Sequence, residues 1–562
     1  MSIRHCRLFF FQLVTVSLAA LPSGQLLYGQ STPRFASLAE FVQFMNATHP
    51  KVPLAEFVKY VNTTHPKVPF DRDAAELPLV GREELVREAS APKSAYTRLA
   101  THTNIKVNRD RDPWPKAEVA VAIDPTNGND ALVMSNDFRE NFDHEFFHFS
   151  SNGGTFWSDD SLVGGSDPIT GFVPLSFQSD PGVVIDSLGN SYLSDITENS
   201  IFDGNAGYLN LDAEIEVVQG FAHGQYALLS PTPVDVEQCS GTLGGTTPTF
   251  TCNATLDKPL IAVDNVPGSP HNGTVYVYYT FICMGTGPKG TGPCSDGPNV
   301  TGIPSGATVI LEVHSPGAGV PFTNPALVSG ALGNSTFADL VVDSHGTPHM
   351  FFDDFGNSPV ANMWESTLSG GVWTLSKKPV ATFLYNGLGN FNWGFRDTGA
   401  AAPGCGIHVD TAYCAFSANQ VAGGPPEGSP SLYLAVVDTP AGTSTIHRVN
   451  NDLFGANKHH FFGWATAKED GSVYVGWYDD RADPFDTDVQ YFVGKSTDGG
   501  KTFPTQTAVN DVPFNPCVGF PGCGFFGDYT QIVAGPDGVV HAAWSDTRDG
   551  RSMQIWSQAI TW

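Results

Sequence analysis

Ser496-Thr497-Asp498-Gly499-Gly500-Lys501-Thr502-Phe503 and Ser150-Ser151-Asn152-Gly153-Gly154-Thr155-Phe156-Trp157 are two copies of one phrase, S-x-[DN]-G-G-x-x-[FW], each following an apolar, strand-like run. In such a phrase Asp or Asn accepts local backbone hydrogen bonds, the paired glycines supply positive φ, and the last aromatic packs back under the sheet. The phrase therefore reads as a hairpin turn, used twice, in a chain built of strands.

A larger unit surrounds it. An apolar strand, an acidic or Gly-containing turn and a second strand ending in aromatic and acidic residues recur from about residue 101 onward. The first strands of successive units end at Asp124, Asp186, Asp264, Asp343, Asp410, Asp470 and Asp537. Weaker versions of the turn phrase, Ser315 to Phe322 and Ser366 to Trp373, fall where a third strand should end. The 59 glycines and 41 prolines among 562 residues interrupt the chain too often for long helices. Seven units of roughly 60 to 80 residues predict an all-β protein, a seven-bladed β-propeller over 101–562. The last unit stops after three strands, so Ile105-Lys106-Val107-Asn108 is expected to complete it and leave no free sheet edge.

The two phrases resemble the Asp-box, or BNR, repeat of the sialidase-like β-propellers. The resemblance covers about 460 residues at the level of fold, with specific motifs at the two turns, and a repeat of this kind marks a fold more firmly than an activity. Six blades are usual in sialidases, which makes six the alternative, with the unit near Asp410 as an insertion. The resemblance also implies a catalytic face at the starts of first strands and the ends of second strands, opposite the Asp-box turns. It implies a tyrosine nucleophile activated by a carboxylate, for which Tyr529, Glu118 and Asp528 are the register-matched residues. It further implies arginines that clamp a sugar carboxylate by bidentate hydrogen bonds; Arg139, Arg396, Arg481 and Arg548 are the candidates. Two bland readings stand beside these. Tyr529 could simply fill the gap between adjacent blades. Asp137/Arg139, Asp479/Arg481 and Asp546/Arg548 repeat one context and could each tie a loop to its own blade, which the repetition favours. The family's R-I-P motif is missing, and Asn108-Arg109-Asp110-Arg111-Asp112-Pro113-Trp114-Pro115 stands in its place.

His144-Glu145-Phe146-Phe147-His148 matches the H-E-x-x-H of zinc proteases. Aligning Ser150 with Ser496 lays it on a third strand, where residues four apart lie ~13 Å from each other, too far to share one zinc. No cofactor is expected. Clustered acids such as Asp479, Asp480 and Asp546 could hold Ca²⁺, although solvated loop acids are the commoner explanation.

Residues 1–30 begin with Arg4 and Arg7, run through an apolar stretch too short to span a bilayer as a mature helix, and reach small residues. That is the layout of a secretory signal peptide, and it predicts a secreted or periplasmic protein. Residues 31–100 form a linker or pro-segment. Within it Leu38 to Pro53 repeats as Leu54 to Pro69. Beyond Cys6 the cysteines fall into four local pairs, Cys239 with Cys252, Cys283 with Cys294, Cys405 with Cys414, and Cys517 with Cys523; no C-x-x-C occurs, which favours disulfides over zinc. A net charge of −28 repels nucleic acid and anionic membranes, and also an acidic sugar unless arginines cluster locally. The expectation is a monomer that meets a carbohydrate or glycoconjugate, without nucleic acid or membrane insertion. Three functions fit: a sialidase-type exo-glycosidase acting on an acidic terminal sugar, a non-catalytic propeller binding a glycan or protein on its funnel face, and a polysaccharide lyase.

Overall fold

The computed structural model describes residues 104–110, 114–139, 143–158, 161–163, 177–203, 208–220, 231–242, 249–285, 292–385, 395, 397–520 and 523–562. The expected signal peptide and the duplicated segment lie outside the described residues.

Seven antiparallel sheets form seven blades. Their innermost strands are Lys116–Asp124, Phe177–Ile185, Ala254–Val263, Ser335–Val342, Gly404–His408, His460–Ala467 and Ile532–Ala534. Each innermost strand packs beside the next in that order, and the seventh returns to the first, which closes the ring. The propeller implied by the resemblance is the observed fold. The six-bladed alternative does not hold, because the unit near Asp410 is a full blade of four strands, Gly404–His408, Thr411–Ala418, Ser431–Asp438 and Thr443–Arg448. In the seventh blade the outermost strand is Ile105–Lys106, with Ile105 opposite Ser557. Asn108 adds to this seam: its Nδ2 donates to Gln554 Oε1 at 2.7 Å and its Oδ1 accepts from the Ile555 N–H at 2.9 Å.

The recurring aspartate has a local cause. At the end of the inner strand its carboxylate accepts backbone N–H groups of the turn that follows: Asp124 from Thr126 (2.7 Å), Asp186 from Leu188 (2.9 Å), Asp264 from Val266 (2.9 Å), Asp343 from His345 (2.9 Å), Asp470 from Ser472 (2.9 Å) and Asp537 from Val539 (3.0 Å). These are Asx-turns, in which a short acidic side chain satisfies amides that the hairpin cannot.

The two turn phrases fold alike. Ser150 Oγ and Ser496 Oγ accept the N–H of Gly154 and Gly500 at 2.9 Å, and Asn152 and Asp498 accept the N–H four residues on, also at 2.9 Å. Gly153, Gly154, Gly499 and Gly500 all have φ between 67° and 80°, the left-handed region that glycine enters without cost. The closing aromatics are buried against the preceding blade. Phe503 packs with Leu434 and Trp477, and Trp157 packs with Ala543 and Ile555 while its Nε1 donates to Ser557 Oγ at 3.0 Å. Each ring thus couples two blades, and burying one contributes roughly 2 kcal/mol.

His144–Ser150 is a strand, so its two histidines are not arranged as a zinc-binding helix would arrange them. Disulfides join Cys283 to Cys294, Cys405 to Cys414, and Cys517 to Cys523. Cys239 and Cys252 are opposite one another in paired strands, but their side chains lie outside the described residues.

Candidate functional site

Five inner strands carry the same irregularity near their starts. Pairing with the second strand slips by a bulge, and the bulged residue sits in the left-handed region: Glu118 (φ 54°), Asp180 (φ 62°), Lys258 (φ 55°), Phe337 (φ 51°) and Phe462 (φ 54°). A non-glycine residue held there costs of order 1 kcal/mol or more, and such strain gathers at functional sites. The bulge re-aims one side chain per blade. In blades one to three that side chain is charged, and in blades four and six it is phenylalanine.

The charged residues meet. Lys258 Nζ lies 2.7 Å from Asp180 Oδ1, 2.8 Å from Asp528 Oδ2, 3.6 Å from Glu118 Oε1 and 3.8 Å from Asp257 Oδ1. The Lys258 N–H also donates to Asp180 Oδ2 at 3.2 Å. Asn136 links the first two blades: its Nδ2 donates to Glu118 Oε2 at 3.0 Å, and its Oδ1 accepts the Asp180 N–H at 3.1 Å. Glu118, Asp180, Lys258 and Asp528 are all buried. Gly527, at φ 98°, makes this approach possible, since a Cβ there would lie 3.2 Å from Glu118 Cγ. Through it the seventh blade meets the first, with Val119 and Thr530 bridged in parallel.

Burial drives the carboxyl of Glu118 well above its usual range, and Asp180 and Asp528 add to this against the pull of Lys258. Burial would also raise Asp180, but Lys258 and the hydrogen bonds to Glu118 and to Lys258 itself outweigh it and hold Asp180 below the ordinary carboxylate range. The two neighbouring carboxyls are therefore pushed in opposite directions, Glu118 up and Asp180 down. Burial opposes the charge on Lys258, but Asp180, Asp528 and Glu118 secure it. Behind this group lie Asp143 and Glu145, both raised by burial, and both carboxylate oxygens of Glu145 lack a hydrogen-bond partner among the described residues.

The other side of the site is apolar. Leu260, Phe337, Pro403, Trp464 and Tyr529 line a small cavity beside Lys258, and the rings of Trp464 and Tyr529 are 6.5 Å apart.

The sequence-selected Tyr529, Glu118 and Asp528 are thus brought to one place. Burial and then the carboxylates of Glu118 and Asp180 raise Tyr529 well above its usual range, and its hydroxyl donates to the Pro181 carbonyl at 2.8 Å. In this arrangement its hydroxyl is a hydrogen-bond donor between blades.

The selected arginines are engaged elsewhere. Arg139 Nε donates to Asp137 at 2.9 Å, Arg481 Nε to Asp479 at 2.7 Å and Arg548 Nε to Asp546 at 2.9 Å, each aspartate also accepting that arginine's own N–H. Each guanidinium lies over a ring of its own blade's third strand, Phe146, Phe492 and Trp556 respectively. In blades six and seven a buried indole completes the unit, with Trp477 Nε1 donating to Asp479 and Trp544 Nε1 to Asp546. The three side chains do not converge on one another; each is held by the aspartate two residues before it in its own blade. Arg396 lies outside the described residues. Arg109 stands over Phe156 of the first turn phrase. Asp479, Asp480 and Asp546, the acids considered for Ca²⁺, face Arg481, His459 and Arg548.

Lys258 belongs to none of the motifs read from the sequence. Its signal is positional: like Glu118 and Asp180, it comes just before the apolar run of an inner strand.

No family model matches the chain, and no curated protein matches it. Among solved structures it is similar to a Hadza microbial sialidase, at 12% identity over 75% of this chain and 73% of the other, with a TM-score of 0.37. It is similar to the Trypanosoma rangeli sialidase in complex with sialic acid at 11% identity, over 73% of this chain and 60% of the other, with a TM-score of 0.34. A Penicillium chrysogenum α-L-arabinanase complexed with arabinobiose gives 9% identity over 81% and 98%, with a TM-score of 0.35. These likenesses are low, and the propeller rests on the seven sheets themselves.

Proposed function

We propose that this chain is an exported, carbohydrate-directed propeller whose reaction centre is the axial group of Glu118, Asp180 and Asp528 around Lys258. The observation that carries the proposal is the buried group of carboxyls around one lysine, Lys258 Nζ lying 2.7 Å from Asp180, 2.8 Å from Asp528 and 3.6 Å from Glu118, in which burial pushes Glu118 up while Lys258 pulls Asp180 down. Cleaving a glycosidic bond needs a carboxylic acid to protonate the leaving oxygen and a carboxylate to face the anomeric centre or its attacking water. Glu118 fits the first role and Asp528 the second, while Asp180, hydrogen-bonded to Glu118, is too close to it to flank the same bond and instead biases its charge. Lys258 keeps the carboxylates in place. The apolar side, Phe337 and Trp464, suits the C–H face of a sugar ring. The disulfides support export.

Charge argues for a neutral sugar over an acidic one. Several carboxyl groups share one lysine at the axis, the chain carries a net charge of −28, and Arg139, Arg481 and Arg548 are held by aspartates.

The test is a panel of fluorogenic glycosides, with α-L-arabinofuranoside and β-galactoside as neutral members and α-sialoside and β-glucuronide as acidic ones. A neutral member should turn over, Glu118→Gln should lower that turnover ~10²–10⁴-fold, and Tyr529→Phe should change it by less than about tenfold. Turnover of the sialoside alone, abolished by Tyr529→Phe, would replace this reading with the tyrosine-nucleophile mechanism. Glycan retention without turnover of any member would leave a binding module.

A further inference from the structure

Ser429, His459 and Asp480 come from three loops on the face that carries the axial site. Ser429 lies between the second and third strands of blade five, His459 immediately before the inner strand of blade six, and Asp480 just after that blade's second strand. Ser429 Oγ is 3.2 Å from His459 Nε2, and His459 Nδ1 is 2.7 Å from Asp480 Oδ2. Asp480 Oδ1 also accepts the His459 N–H at 2.7 Å, so the carboxylate fixes both the backbone and the ring. With Asp480 accepting from Nδ1–H, Nε2 is left to accept the serine hydroxyl. A base against a hydroxyl, oriented by a carboxylate, is the arrangement that activates serine for acyl transfer wherever it occurs.

From this geometry we propose a second activity, hydrolysis of small acyl esters at Ser429, with His459 as general base and Asp480 as the positioning residue. Ser429 Oγ forms a bond to the ester carbonyl carbon as its proton passes to His459 Nε2. The alcohol then leaves as the C–O bond breaks, taking that proton. Water next gives a proton to Nε2 and attacks the acyl-serine, and serine leaves with its hydrogen restored. No redox partner is needed.

The triad lies beneath the surface. Ser429 is 5% exposed and its two partners are buried, but Asn457, two residues before His459, is exposed with φ 56°. Asn457 rests directly on Gly428, the neighbour of Ser429, where a Cβ would come within 2.4 Å of Asn457 Oδ1. Because Ser429 is nearly buried and Asn457 is the exposed residue beside it, the proposal is limited to the smallest acyl esters, of acetyl size.

The test uses the whole protein with p-nitrophenyl acetate and a fluorophosphonate reagent. Ester turnover should fall at least ~100-fold in Ser429→Ala, and in Asp480→Asn kcat should fall ~10-fold or more with KM within about twofold. Peptide mapping of the unmutated chain should place the phosphonate on Ser429, a measurement that does not depend on any variant folding. An adduct elsewhere, no adduct on Ser429, or turnover unchanged in a folded Ser429→Ala would each overturn the proposal. Because these readouts use no glycoside, the result is independent of the axial site.

Discussion

Two sets of charged residues share one face of the propeller and are built on opposite rules. At the second-strand tips, Asp137/Arg139, Asp479/Arg481 and Asp546/Arg548 repeat a pairing inside a single blade, with the arginine over a ring of the same blade. At the axis, Glu118, Asp180, Lys258 and Asp528 come from four different blades and form one group that no blade contains alone. Repetition within the unit is what a structural tie requires, because every blade has the same loop to hold. A group that differs from blade to blade answers to something outside the repeat. On the proposed reading, the tips supply stability and the axis the chemistry.

Removing the shared cation should break the contrast most strongly. Lys258→Met leaves Asp180 and Asp528 buried without their partner, and urea unfolding should show a loss of ~3–5 kcal/mol. A loss below about 1 kcal/mol would mean that the axial carboxyls do not depend on the lysine.

Arg548→Ala should cost less, ~1–3 kcal/mol, since it strips one staple and leaves Asp546 its Trp544 indole bond. It should leave glycoside turnover within about twofold. A large loss of turnover at unchanged stability would move Arg548 from the staples into the site.

The smallest effect is a pH slope. Glu118 has a raised value in the folded state, so its contribution is present below the unfolded carboxylate value and is lost as pH rises through the folded one. Asp180 is depressed, so its contribution is present above the unfolded value and is lost as pH falls toward the folded one. Glu118→Gln, which keeps an N–H facing Asp180, should flatten the alkaline side of the melting-temperature profile by a few degrees and leave the acid side unchanged. Arg548→Ala removes the charge that opposes the burial-driven rise of Asp546, so it should lower the same profile more as pH rises, because ionised Asp546 is then buried without its arginine. Equal alkaline slopes in wild type and Glu118→Gln would show that Glu118 is ionised throughout.

Local patterns were the legible part of this chain. The turn phrase and the strand-ending aspartates act within four residues of themselves, so Ser496 to Phe503 and Asp343 to Thr347 can be read without knowing anything distant. Blade register then carried Glu118, Asp528 and Tyr529 to one face. Lys258 escaped because the bulge between Asp257 and Leu260 shifts which residue turns inward. The arginine motif was visible but its partner was not, since the same spacing allows a clamp or a staple and packing over Phe146, Phe492 and Trp556 decides. Ser429 and His459 belong to no motif, and Asp480, though inside the Asp479/Arg481 repeat, meets them only across two blades through loops of irregular length.

The seam between Ile105 and Ser557 spans 452 residues of sequence. A chain emerging from its amino end exposes one half of that join long before the other half exists. Until the third strand of the last sheet, Gln554–Ile560, arrives, Ile105–Lys106 has no strand to pair with and its amides face any neighbouring molecule. Sealing the circle is therefore a late event in biogenesis, and anything that holds residues 104–108 aside during that wait would protect the nascent protein from pairing with its siblings.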